Sequence, residues 1–117
     1  MNDLISLEEK IFIFIINTIS FLRTLKKRSI TNEKTHEIAS LIKVLNDIYA
    51  KSIEIKDYNE RIKSWRLGLE ALKRLHTLFM DLHFVDYELI NEKADLQIET
   101  SLLKDNLTNI INKLDKH

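Results

Sequence analysis

The chain has no cysteine, no proline and a single glycine among its 117 residues. Without thiols there is no disulfide framework and no thiolate metal site, and the chain fits a reducing compartment. With glycine and proline so scarce, a succession of tight turns is excluded, and most all-β folds with it. Neither sign of charge is in excess, since 18 Lys and Arg balance 18 Asp and Glu. A neutral total argues against strong non-specific nucleic-acid binding, which needs clustered positive charge. Long hydrophobic runs are also missing. The longest unbroken one, Ile11–Ile16, is far short of the roughly 20 residues that span a bilayer. Asp3, Glu8 and Glu9 precede it, the wrong sign for a secretory signal. The expectation is a cytoplasmic protein with no membrane partner.

Apolar residues make up 44% of the chain, enough for a packed interior. The length suits one domain, residues 1–117. Charge is unevenly spread. Residues 1–80 hold 14 basic and 10 acidic side chains, whereas residues 81–117 hold 4 and 8.

Four segments have helical period. Ser6 and Glu9 have the spacing of a capping box, so the first helix is expected from Ser6 to about Arg28, with Lys26, Lys27 and Arg28 at its cation-favouring end. Thr31 is the expected N-cap of the second helix. That helix repeats Ile38, Leu41, Ile42, Leu45, Ile48 and Tyr49 on one face and fades around Ala50–Ser52. Asp57 with Glu60 resembles a further capping box and opens the third. Its stripe is Tyr58, Ile62, Trp65, Leu69, Leu72, His76, Phe79 and His83, widened by Gly68, Ala71, Leu75, Leu78 and Leu82. Gly68 and Ala71 would let a neighbouring helix approach closely. Asp86 is the expected N-cap of the fourth, with Val85 and Ile90 spaced as a hydrophobic staple, and Leu89, Leu96, Leu103 and Ile110 follow seven apart. Short links between helices of similar length predict an all-α, up-down-up-down antiparallel four-helix bundle.

The first helix carries more apolar surface than one seat in a small bundle needs. Ile11, Ile15, Leu22, Ile19 and Phe12 form one face, and Leu7, Phe14, Phe21 and Leu25 a second stripe beside it. With Ile16 the arc spans about 220° at 100° per residue, against the roughly 100° of a core-facing stripe. Either this helix is deeply buried with a few apolar side chains in solvent, or Leu7, Phe14, Phe21 and Leu25 face another subunit or a partner. The second reading is the expectation.

Candidate chemistry is sparse. Glu33 and His36 form one Glu-x-x-His element, whereas carboxylate-bridged di-metal bundles need two. His76 and His83, with Asp81 nearby, could serve as base or ligand, but such histidines are more often core or boundary residues. No phosphate loop or nucleophile elbow is present. No enzyme activity, catalytic residue, metal or cofactor is expected. Arg23, Lys26, Lys27 and Arg28, with Lys34 across the turn, make a basic corner. Arg61, Lys63, Arg66, Lys73 and Arg74 add positive charge to the outer side of the third helix, next to Trp65. Such surfaces track phosphates, or else form ordinary solvated faces with pairs such as Glu70–Arg74.

The stretch Leu69–Leu82, leucine-rich with Lys73 and Arg74, leads through a short turn into Tyr87 and a final amphipathic helix. In this layout the chain resembles the accessory variability determinant proteins of diversity-generating retroelements, which are related in fold to proteins encoded by intervening sequences of bacterial 23S ribosomal RNA. The resemblance implies a pentameric ring, a reverse transcriptase partner, and RNA or DNA contact through Arg23, Lys26, Lys27, Arg66, Lys73 and Arg74, with Arg28 in the same basic corner. The resulting expectation is a non-enzymatic accessory protein that self-associates and binds a nucleoprotein partner. The alternative is a protein-binding module of the immunity, antitoxin or inhibitor type with no nucleic-acid role.

Overall fold

A computed structural model describes residues 2–116, and Met1 and His117 lie outside it. The helices are α1 (Asn2–Lys27), α2 (Glu33–Ser52), α3 (Tyr58–Ser64), α4 (Arg66–Asp81) and α5 (Tyr87–Asp115). Helices α3 and α4 form one rod broken at a single turn, so the architecture is an all-α four-helix bundle. Around the bundle the order is α1, α2, α4, α5, each packed against its two neighbours. The long axis measures 47 Å.

Local chemistry sets most helix ends. Asp57 caps α3 by accepting from the Glu60 N–H at 2.9 Å, and Asp86 caps α5 by accepting from the Glu88 and Leu89 N–H groups. Two expected starts are corrected. The α1 helix already includes Asn2, so Ser6 lies within it as an exposed helical residue. Asn32, not Thr31, caps α2. Its side chain accepts from the Thr35 N–H at 3.0 Å while the Asn32 N–H donates to the Thr35 hydroxyl at 2.9 Å, a reciprocal arrangement that Thr31 lacks. The staple before α5 does not form either, because Val85 is fully exposed. The α1 helix ends in a Schellman turn, in which the Ile30 N–H donates to the Leu25 carbonyl and the Ser29 N–H to that of Lys26. Ser29 holds φ 57°, the left-handed conformation usually given to glycine.

The break between α3 and α4 was not anticipated. The Ser64 hydroxyl donates to the Arg61 carbonyl at 2.6 Å, and the Trp65 N–H turns to the Ile62 carbonyl, three residues back. The rod therefore tightens by one turn, and the Trp65 indole swings fully inside. It lies over Gly68, where an added Cβ would sit 2.6 Å from indole Cε3. The glycine thus makes room for a ring three residues before it, not for a neighbouring helix. Gly68→Ala is expected to destabilise the fold by about 1–2 kcal/mol, since overpacking against a pinned ring outweighs the roughly 1 kcal/mol gain in helix propensity. Urea unfolding checks this, and a stabilised variant would contradict it.

The core runs the length of the bundle. Leu7, Phe14, Phe21 and Leu25 belong to it, each at most 3% exposed. Phe79 of α4 meets Phe14 edge-on at 6.4 Å between ring centroids and Phe21 at 6.5 Å. The expected partner-facing stripe is therefore corrected: it closes the chain's own interior. The apolar excess of α1 is real but lies on the other side, where Phe12 is 40% and Ile16 49% exposed. Along the third rod the stripe is buried, except that Tyr58 and His76 are half-buried and His83, past the end of α4, is exposed.

Candidate binding groove

Helices α1 and α2 leave a groove of about 510 Å³ between them. From α1 it is lined by Phe12, Ile15, Ile16, Ile19 and Leu22, and from α2 by Ala39, Ile42 and Asn46. Phe12, Ile16 and Ile19 lie at steps of four and three, one stripe of α1, and Ala39, Ile42 and Asn46 do the same on α2. Phe12 stacks on Tyr49 of α2 at 5.1 Å, which fixes one end of the apolar floor. At the other end the rim is cationic. Arg23 and Lys26 project from α1 there, Lys43 of α2 stands nearer the middle, and no carboxylate is among the lining residues.

The basic residues expected to touch nucleic acid do not form one surface. Arg28 pairs with Asp86 and Glu88, both at 3.2 Å. Arg66 pairs with Asp115 near the opposite end of the bundle. Arg74 reaches across to Glu37 of α2 at 2.6 Å, and Lys73 meets Glu70 at 3.4 Å. The expected Glu70–Arg74 pair is thus replaced by these two. The neighbouring guanidinium holds Glu37 and Asp115 below the ordinary carboxylate range. Asp86 is also held low, first by the Leu89 N–H and then by Arg28. Being exposed, these pairs contribute little to stability, but they neutralise the cations they engage. Lys34 donates to the Asp81 carbonyl at 3.3 Å. Arg61 is not on an outer face, because it turns inward to Glu8, and Trp65 is enclosed and offers no ring for a base to stack on. Of the seven basic residues expected to touch nucleic acid, Arg23, Lys26 and Lys27 have no ion pair among the described residues, and two of these three line the groove.

Sequence reasoning missed Ala39, Lys43 and Asn46 of the groove and set Phe12 and Ile16 elsewhere. The spacing of Phe12, Ile16 and Ile19 carried a usable signal, since all three lie on one edge of the wide α1 arc. Glu33 and His36 are exposed in the first turn of α2. Among the described residues no three His, Cys, Asp or Glu side chains gather as a metal ion would require, and no helix is long and apolar enough to cross a membrane. In comparison with known proteins, the chain matches no family model, no curated protein and no solved structure.

Proposed function

We propose that this chain is a non-enzymatic binding module that docks a protein partner in the α1–α2 groove. The carrying observation is an apolar floor bordered by Arg23, Lys26 and Lys43 with no lining carboxylate. A surface of that kind fits the amphipathic, acidic face of a helix, with side chains entering between Phe12 and Ile19 and carboxylates meeting the rim. Exposed Phe12 and Ile16 on one stripe make an apolar patch that a partner would cover. This is the chemistry of an accessory, immunity or inhibitor protein. It favours protein over phosphate backbone at the centre of the site, because a floor of Phe and Ile gives phosphates no donor.

Placing the photoreactive residue p-benzoylphenylalanine at Phe12 in producing cells tests the reading. The expected result is one discrete protein adduct, absent when the same residue replaces exposed Leu67 on α4. No protein adduct at Phe12 would overturn it.

One observation favours a nucleoprotein partner, such as a reverse transcriptase with its RNA or DNA. Arg23, Lys26 and Lys27 sit within the last two turns of α1 and are uncompensated among the described residues. If these three meet phosphates, log K falls against log salt with a slope of about −3. The triple variant Arg23→Gln, Lys26→Gln, Lys27→Gln then abolishes that slope.

A further inference from the structure

We propose that the groove is occupied by the outer face of α5 from a second copy of this chain, so that copies associate head to tail. The inference rests on the reading of the groove as a protein-docking site and names what fills it. The solvent face of α5 is the complement of the groove. Ile98 is 61% and Leu102 59% exposed, two large apolar side chains one helical turn apart. Asp95 and Glu99 lie beside them on the edge of α5 that turns toward α1, Asp95 exposed and Glu99 half-buried. At 100° per residue, Asp95, Ile98, Glu99 and Leu102 fall within an arc of about 100°, and Lys104 lies on the opposite side of the helix. Nothing in this chain covers Ile98 and Leu102.

The spacing agrees as well as the sign. On α1, Arg23 lies seven residues from Ile16. On α5, Asp95 lies seven residues from Leu102. Both offsets are about 10.5 Å along a helix axis. With Asp95 over Arg23, Leu102 falls over Ile16, and the visiting α5 runs antiparallel to α1. In the same register Lys26 is placed to meet Glu92, and Lys43 to meet Glu99. In the lone chain the Glu99 carboxyl is pushed up, first by burial and then by Asp95, a like-charge contact that a cationic rim would relieve. The wider charge distribution points the same way, with 14 basic against 10 acidic residues through position 80 and 4 against 8 beyond it. A neutral chain divided in this way attracts its own copies in one orientation and repels them in others.

The two surfaces differ. The groove lies between α1 and α2, and α5 flanks α1 on its other side. The contact is therefore heterologous, and repeating it gives a closed ring or an open filament, not a two-fold dimer.

Sedimentation equilibrium from micromolar to millimolar concentration tests this, with circular dichroism confirming that each variant is folded. The native chain is expected to associate. Arg23→Glu with Lys26→Glu in the groove, and separately Asp95→Lys with Glu92→Lys on α5, each weaken association at least tenfold. Mixing the two variants restores association, as does combining all four changes in one chain. A native chain that stays monomeric throughout, association untouched by both reversals, or folded variants that fail to rescue each other would each overturn the inference. A monomeric chain that still forms a heterologous protein adduct at Phe12 overturns self-association alone. Loss of every protein adduct overturns the docking site itself.

Discussion

Glu8→Ala is expected to cost about 3–5 kcal/mol, the scale of breaking a buried ion pair from one side. The Glu8 side chain is 2% exposed and its carboxylate accepts from three elements at once. The Ser52 hydroxyl at the end of α2 donates at 2.8 Å, the Trp65 indole N–H at the α3–α4 break at 2.9 Å, and Arg61 Nε of α3 at 3.1 Å to each oxygen. The Arg61 side chain is only 13% exposed, so removing the carboxylate strands a guanidinium and an indole N–H away from water. Its hydrogen bond to Glu8 is the main reason the Arg61 pKa is raised. Glu8→Gln keeps the shape and part of the hydrogen bonding but leaves the cation without a counter-charge, so it lands between the native chain and Glu8→Ala. Urea midpoints at neutral pH decide. A loss below about 1 kcal/mol would put this cluster on the level of an exposed pair and contradict the prediction.

Phe14→Ala is expected to cost a similar amount, about 3–5 kcal/mol, whereas Phe12→Ala stays near 1 kcal/mol or below. The two residues are neighbours on α1 and equal in hydrophobicity. Phe14 is fully enclosed against Phe79, and truncation leaves a cavity that the rings around it cannot fill. Phe12 is 40% exposed and gives up a stack on Tyr49 and a wall of the groove. Urea denaturation of both variants would show the contrast. Equal losses would mean that α1 is rotated from the orientation described here.

Much of the fold was legible because it is written in local patterns. The i, i+3, i+4 stripes of α2, α4 and α5 needed only helical geometry, and Asp57 and Asp86 cap by contacts two or three residues away. What failed to show has a longer range. The extent of the apolar arc on α1 was visible, but which half turned inward depends on where α2 and α5 lie. Those neighbours enclose the Phe14–Phe21 half and leave Phe12 and Ile16 outside. The break at Trp65 is stabilised by a carboxylate 57 residues earlier in the chain, so no window around Trp65 contains its cause. Glu8 itself read as one more terminal acid, since nothing in its neighbours reveals that three donors converge on it. The groove was half visible, because the spacing on α1 was present but its pairing with Ala39, Ile42 and Lys43 required the packing of α2. The basic residues were legible as positions and not as a surface, because Glu37 and Asp115 reach their partners from distant parts of the chain.

The Glu8 cluster ties α1, α2 and α3 together at one tip of the molecule, whereas the polar ties at the other tip are solvent-exposed pairs of Arg28 with Asp86 and Glu88. The two tips are thus latched differently: polar contacts close one through a buried carboxylate, whereas the other relies on apolar packing such as Phe21 against Phe84. Arg23 and Lys26 stand beside that tip. The charged mouth of the groove therefore lies toward the tip held by exposed pairs, and Phe12 toward the tip held by the buried carboxylate.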